Sequence, residues 1–165
     1  MEEFKVIVPD DVYTIVEFKR DNLPAIMIIN SALVDFEPKE VFSWNLSIVI
    51  QFNELAGNGM PTRNETSLIE PFEDYLFDNL KGDKNKPNAL FFARITWNGT
   101  REIIYQVYEP RMADNLLKKI IDDKKYPREF DYRMECDEEW KLNKAYFDLF
   151  NNGVNHRFKK GEKNE

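Results

Sequence analysis

The chain has 165 residues, 42% hydrophobic and 14% aromatic, and a formal net charge of -7 from 23 basic and 30 acidic residues. That size and composition fit one globular domain that buries about 70% of its unfolded surface and needs neither a metal nor a disulfide to hold it. The sole cysteine, Cys136, excludes an internal disulfide, and the acidic balance disfavours general affinity for a nucleic-acid backbone, which needs clustered cations.

Residues 1–12 form an N-terminal segment with Glu2, Glu3, Asp10 and Asp11 around one apolar run, Val6-Ile7-Val8. That run is far too short for the core of a secretory signal. No apolar stretch approaches the ~20 residues that span a bilayer, so a cytoplasmic protein with no membrane contact is expected. The glycosylation-like sequences at Asn45, Asn64 and Asn98 are then chance matches.

VYTIVEFKR and LPAIMIIN read as two strands joined at Asp21-Asn22, and VFSWNLSIVIQF as a third, rich in β-branched and aromatic residues. The next stretch, GNGMPTRNETSLIEPFEDY, raises a choice between a phosphate-cradling loop and a helix start. A phosphate loop of the Walker type needs a lysine and a hydroxyl after its last glycine. Here Gly59 is followed by Met60 and Pro61, and Pro61 lacks the backbone donor a phosphate would use. Thr62 and Glu65 fit a capping box, in which each side chain satisfies the other's backbone N–H. Leu68, Phe72, Leu76 and Leu80 then form an i+4 row, supported by Ile69 and Tyr75. Pro71 removes one helical hydrogen bond, so the helix either starts near Glu70 or is kinked there.

ALFFARITW and TREIIYQVY flank Asn98-Gly99, a pair that tolerates the positive φ angles of a type I′ turn. The hairpin pairs Trp97 with Thr100, Ile95 with Glu102 and Ala93 with Ile104. On the alternate face it pairs Thr96 with Arg101, Arg94 with Ile103 and Phe92 with Tyr105. Both faces are mixed, so the pattern does not say which one meets the core. Pro110 opens a second helix with Met112, Leu116, Leu117, Ile120 and Ile121 as its apolar side, and its lysines suit the negative C-terminal end. REFDYRM reads as a last strand. EEWKLNKAYFDLF is ambiguous, although Trp140, Phe147 and Phe150 fit one helix face. Residues 151–165 read as a polar, flexible tail.

The order predicts an α+β protein with a single domain over residues 13–150. Its core is expected to be ferredoxin-like, β-α-β-β-α-β with two helices on one face of an antiparallel sheet, preceded by an N-terminal β-hairpin.

Three segments carry a resemblance: NGMPTRNE…IEPFEDYL, FFARITWNGTREIIYQVY and REFDYRMECDEEW. Gly59 and Pro61 give a Gly-x-Pro turn before an acidic helix. Arg94, Thr96, Gly99, Arg101, Glu102 and Tyr105 give a patterned hairpin, and Asp137 and Trp140 a late Asp-x-x-Trp. With these the chain resembles the bacterial domain of unknown function 695 family over about Tyr13 to Phe150. The resemblance implies no established activity. That family is distantly similar to the regulator of ribonuclease activity B family, small acidic proteins that bind and inhibit a ribonuclease. By fold-level analogy alone, another protein, of ribonuclease type, is the partner implied.

The candidate interaction or anion site is therefore Arg94, Thr96, Arg101, Glu102, Tyr105, Asp137 and Trp140. Arg94 and Arg101 share a sheet face, where guanidinium groups can take a carboxylate in bidentate fashion, and Glu102 points to the other face. The plainer reading is a cross-strand ladder of arginines and acidic neighbours on an exposed sheet. Glu65, Glu70, Glu73 and Asp74 read as a solvated helix face with acids near the N-terminal dipole, not as a converging acid–base pair. His156, the only histidine, and Cys136 lack metal-ligand spacing, and no nucleophile elbow occurs. Neither a catalytic residue nor a cofactor is assigned. Phe91, Phe92 and Trp97 raise base stacking on a ferredoxin-like sheet, but the signature of such RNA modules is missing, and core packing accounts better for the rings. The leading expectation is a non-enzymatic protein-interaction or regulatory module. An enzyme or small-anion binder using Arg94, Arg101 and Tyr105 is the alternative, and RNA binding the second.

Overall fold

The computed structural model describes residues 6–152, and at 155–159 the backbone. Strands β1 (Val12–Arg20) and β2 (Leu23–Asn30) form the first hairpin. Asp21 and Asn22 take φ of 51° and 65°, the left-handed pair that a two-residue turn with the strands' own twist requires. After β3 (Trp44–Gln51) come α1 (Arg63–Lys81), β4 (Ala89–Trp97), β5 (Thr100–Val107), α2 (Pro110–Asp122) and β6 (Phe130–Cys136). A 3₁₀ turn at Lys141–Asn143 then leads into α3 (Lys144–Asn152). The tail expected from Asn151 onward holds, at Asn155–Lys159, a further strand, β7, paired with β1.

Among the described residues the strands form one antiparallel sheet in the order β6-β3-β5-β4-β2-β1-β7. The architecture is α+β, and its seven-strand order is wider than the four-stranded sheet of a bare ferredoxin-like core. β5 lies between β3 and β4, the strands that α1 joins; β3 lies between β5 and β6, the strands that α2 joins. The sheet thus has a core on each side. One packs Ile69, Leu76, Leu117 and Ile120 of the two helices on Ile48, Ile50 and Ile103. The other packs Phe150 of α3, Trp140 and Phe42 on Met27, Phe92 and Ile104.

Several local expectations are corrected. α1 starts at Arg63 and runs through Pro71. Pro71 and Ser67, whose carbonyl loses its helical partner, both lie on the water side, where solvent satisfies that oxygen. The buried side of α1 is Ile69, Phe72, Leu76 and Leu80; Leu68 and Tyr75 are exposed. In α2 only Ala113, Leu117 and Ile120 are buried, with Met112 and Ile121 exposed. Only half of the capping box forms: the Glu65 N–H donates to Thr62 Oγ1 at 3.2 Å, while the Thr62 N–H donates to the Glu54 carbonyl. Trp140 precedes α3 in a left-handed conformation (φ 59°), so it shares no helix face with Phe147.

The hairpin register holds from Trp97↔Thr100 to Ala93↔Ile104. A β-bulge between Phe91 and Ala93 then sets Phe91, not Phe92, opposite Tyr105. The bulge decides which ring meets which core, Phe91 the helix side and Phe92 the side of Ala93. Phe91 meets Tyr105 edge-on at 5.8 Å, and Phe92 meets Phe147 of α3 at 4.9 Å.

The glycine-rich stretch before α1 clasps the hairpin turn. The Gly99 N–H donates to the Gly59 carbonyl at 2.8 Å, and the Phe52 N–H to the Gly99 carbonyl at 2.9 Å. Gly59 has φ +84°, and a Cβ there would lie 3.1 Å from Asn98 Cα, a backbone atom with little room to give. Gly57 has open space around it. Gly59→Ala is therefore expected to destabilise the fold by about 1–3 kcal/mol through strain, and Gly57→Ala to change little. Urea unfolding of the two variants checks this, and equal midpoints would refute the clasp.

Candidate functional site

The buried side of α1 carries two carboxylates as well as its apolar residues. Glu65 is 1% exposed and Glu73 9%, whereas Glu70 and Asp74 are exposed. The solvated-face reading fails for the first pair, because Glu65, Ile69 and Glu73 lie four residues apart and share one helix face. Glu65 accepts from Arg128 Nε and Nη2, each at 2.8 Å, and from the Asn53 N–H at 2.8 Å. Those hydrogen bonds, led by Arg128, hold its carboxyl below the usual carboxylate range against the opposing effect of burial.

Glu73 reaches the hairpin. Arg101 Nη1 donates to its Oε1 at 2.8 Å and Arg94 Nη1 to its Oε2 at 3.0 Å. The hairpin register aligns the arginines: Thr96 is opposite Arg101, and Arg101 Nε donates to Thr96 Oγ1 at 3.0 Å. Arg101 is 5% exposed and also lies 5.3 Å from the centre of the Phe52 ring. Desolvation, then the neighbouring Arg94 charge, lowers its pKa, and Glu73 opposes both. A guanidinium keeps its proton even so, which leaves two positive charges on one carboxylate. The cross-strand ladder on an exposed sheet is thereby replaced by a buried ion triad under a helix.

The triad opens onto a groove of about 250 Å³ between the start of α1 and the face of β2 and β4. Ile26, Ile28, Met60, Pro61, Thr66, Arg94, Thr96 and Arg101 line it. Both Glu73 oxygens are held by guanidinium groups, and among the described residues the groove lining holds no carboxylate. The arrangement suits binding of an oxyanion.

The other candidate residues do not join this groove. Glu102 faces the opposite side of the sheet, where Ser47 Oγ donates to it at 2.5 Å and the Tyr146 hydroxyl at 3.3 Å. Arg20 Nη2 in turn donates to the Tyr146 oxygen at 3.4 Å. Tyr105 is 2% exposed, and burial first, then the Glu73 charge, pushes its hydroxyl pKa up. It is part of the core. Asp137 accepts from the N–H groups of Lys141 and Leu142 at 2.9 and 2.8 Å and so caps the turn before α3. Trp140 is 1% exposed, stacks on Phe36 and donates Nε1–H to the Phe42 carbonyl at 2.9 Å. The Asp-x-x-Trp pair thus builds a corner. Among the described residues no group of three or more His, Cys, Asp or Glu is placed to hold a metal, and no helix is long and apolar enough to cross a membrane.

Removal of the shared carboxylate strands Arg101 in the core. Glu73→Ala is expected to cost about 3–5 kcal/mol, as breaking a buried pair does, while Glu70→Ala stays close to wild type in urea unfolding. Acid acts through Glu65. Its folded pKa lies below the ~4.3 of an unfolded glutamate, so its contribution is present above about pH 4.3 and is lost as pH falls through the folded value. The stability gap between wild type and Arg128→Ala should shrink between pH 7 and pH 3; a constant gap would show that the pair sets no pH dependence.

Comparison with curated proteins and with solved structures returns no significant match. A family model does match, over residues 13–150, under the description "family of unknown function (DUF695)". That span covers most of the chain and includes the groove, its triad and the Asp137–Trp140 corner, and the chain belongs to this family.

Proposed function

We propose that the chain is a non-enzymatic protein-interaction or regulatory module, and that the groove beside α1 is where an acidic group of the partner docks. One observation carries this reading: Arg94 and Arg101 both hydrogen-bond the one carboxylate of Glu73, and the other acid that acts on Arg101, Glu70, is exposed, so the groove lining presents two guanidinium groups and no carboxylate in a protein of net charge -7. Charge complementarity of this kind steers and orients partners. The triad also fixes both side chains before any partner arrives, which lowers the ordering cost of binding.

Within the sheet, we read the stretch from β3 to β6 as a ferredoxin-like core widened by β2, β1 and β7. A cytoplasmic location and a ribonuclease-type target, the latter from the distant resemblance to the regulator of ribonuclease activity B family, belong to the same reading. An enzyme built on Arg94, Arg101 and Tyr105 has less support, since Tyr105 does not line the groove and no free base does. RNA stacking has less support too: Phe92 is fully buried beside Phe147, and Trp97 donates its Nε1–H to the Arg20 carbonyl at 2.8 Å.

Co-purification from host lysate at near-physiological salt tests the proposal with wild type, Arg94→Ala and Arg133→Ala. Arg133 is exposed on a different part of the sheet. The expected result is a stoichiometric protein partner retained by wild type and Arg133→Ala and lost by a folded Arg94→Ala. A partner kept by all three would move the interface elsewhere, and no partner with any of them would sink the interaction reading.

A further inference from the structure

We infer that the groove receives a carboxylate that carries a short aliphatic group, the chemistry of a chain-terminal leucine or valine or of a free branched-chain acid. The inference rests on the docking role proposed for the groove and names the chemistry of what enters it.

The groove offers donors. Arg101 spends Nε on Thr96 and Nη1 on Glu73, and its Nη2 makes no hydrogen bond among the described residues, although the side chain is only 6% exposed. Arg94 spends Nη1 on Glu73, and its Nε and Nη2 make none among the described residues. Thr96 Oγ1 accepts from Arg101 and keeps its own O–H to give. Arg101 lines the groove, and the buried side-chain atom left without a hydrogen-bond partner among the described residues is Gln106 Oε1, so Arg101 Nη2 is a solvent-accessible free donor. An ionised carboxylate is acceptor-only and matches the fork geometry. Glu73 holds both arginines from outside the groove lining, so it orients them without filling the space a ligand would take.

The remaining surface is apolar. Ile26 and Ile28 form one side, Met60 and Pro61 another, all half-buried. A fully polar anion such as phosphate would leave that half of the groove badly matched, whereas an aliphatic group of three to five carbons gains from covering it. The volume of about 250 Å³ lies below the range of about 300–1,000 Å³ typical of drug-sized ligands, which argues for a small group and against a nucleotide.

The test uses the full chain, labelled with ¹⁵N, at pH 7 and constant ionic strength. It is titrated with 3-methylbutanoate, with the corresponding amide and with inorganic phosphate. Saturable shifts at Ile26, Ile28, Thr66 and Thr96 are expected for the acid, with a dissociation constant on the order of millimolar for so small a ligand. The amide and phosphate should bind at least tenfold more weakly, and Arg94→Gln should weaken the acid by at least tenfold. A short peptide ending in leucine, with a free or an amidated terminus, separates the two sources. Tighter binding of the free-ended peptide than of the acid assigns a chain terminus, and the reverse assigns a small free acid. Equal affinity for acid and amide, or no saturable shift in the groove, would overturn the inference on the wild-type chain alone, whatever the stability of the variant. A partner lost with Arg94→Ala but no response to the acid would overturn this ligand class and leave the docking role standing. A response to the acid without any protein partner would do the opposite.

Discussion

The carboxylate of Glu73, held between Arg94 and Arg101, sets how α1 sits on the sheet. Burying one carboxylate and a nearly enclosed guanidinium is expensive, and hydrophobic replacements of such groups are often as stable. What the triad contributes is direction. An apolar helix face tolerates small rotations and slides, but two charge-assisted bonds at 2.8 and 3.0 Å, from arginines of which one is itself held by Thr96, do not. They pin the middle of α1 to the tip-proximal half of the β4–β5 hairpin.

A second ion pair works at the start of the same helix. Glu65 ties α1 to Arg128 just before β6 and to the backbone of Asn53 just after β3. The clasp of Gly59 on Asn98-Gly99 adds a third point at the hairpin turn. The helix, the loop before it and the turn of the hairpin are thereby held as one unit, and the groove lies among them. Ion pairs and backbone hydrogen bonds thus hold its shape at three points beside the apolar packing of α1, which is what a preorganised binding surface requires.

The opposite face has a different economy of contacts. Phe92, Phe147, Trp140 and Phe36 pack there as rings, and Trp140 reaches its place through a left-handed backbone turn capped by Asp137. The β-bulge at Phe91–Ala93 makes this possible, because it keeps Phe92 on the same side as Ala93 and turns Phe91 to the helix side, the reverse of what unbroken alternation from Ala93 would give. The features by which the chain resembles its family thus divide. Asp137 and Trp140 build a corner, Tyr105 fills a core, Glu102 takes hydrogen bonds from Ser47 and Tyr146, and Arg94, Thr96 and Arg101 line the groove.

The sequence by itself determined the elements from β1 to β6 and their order, though not α3 or β7. Asn98-Gly99 and Asp21-Asn22 tolerate left-handed backbone, Thr62 and Pro110 open helices, and β-branched runs favour strands; each is a property of a few adjacent residues. It also placed Arg94, Thr96 and Arg101 on one face, since a two-residue turn fixes register outward from the tip. The signal for Glu73 was present as well, four residues from Ile69 and three from Leu76, but helical spacing assigns a face without saying whether a charge on it meets water or a guanidinium. That was decided by partners 21 and 28 residues away along the chain. The bulge beyond Ala93, the corner at Trp140 and the pairing of β7 with β1 were settled in the same way. Local residues set what a segment is; only contacts between distant segments set which of its groups are buried, and with them where the groove lies.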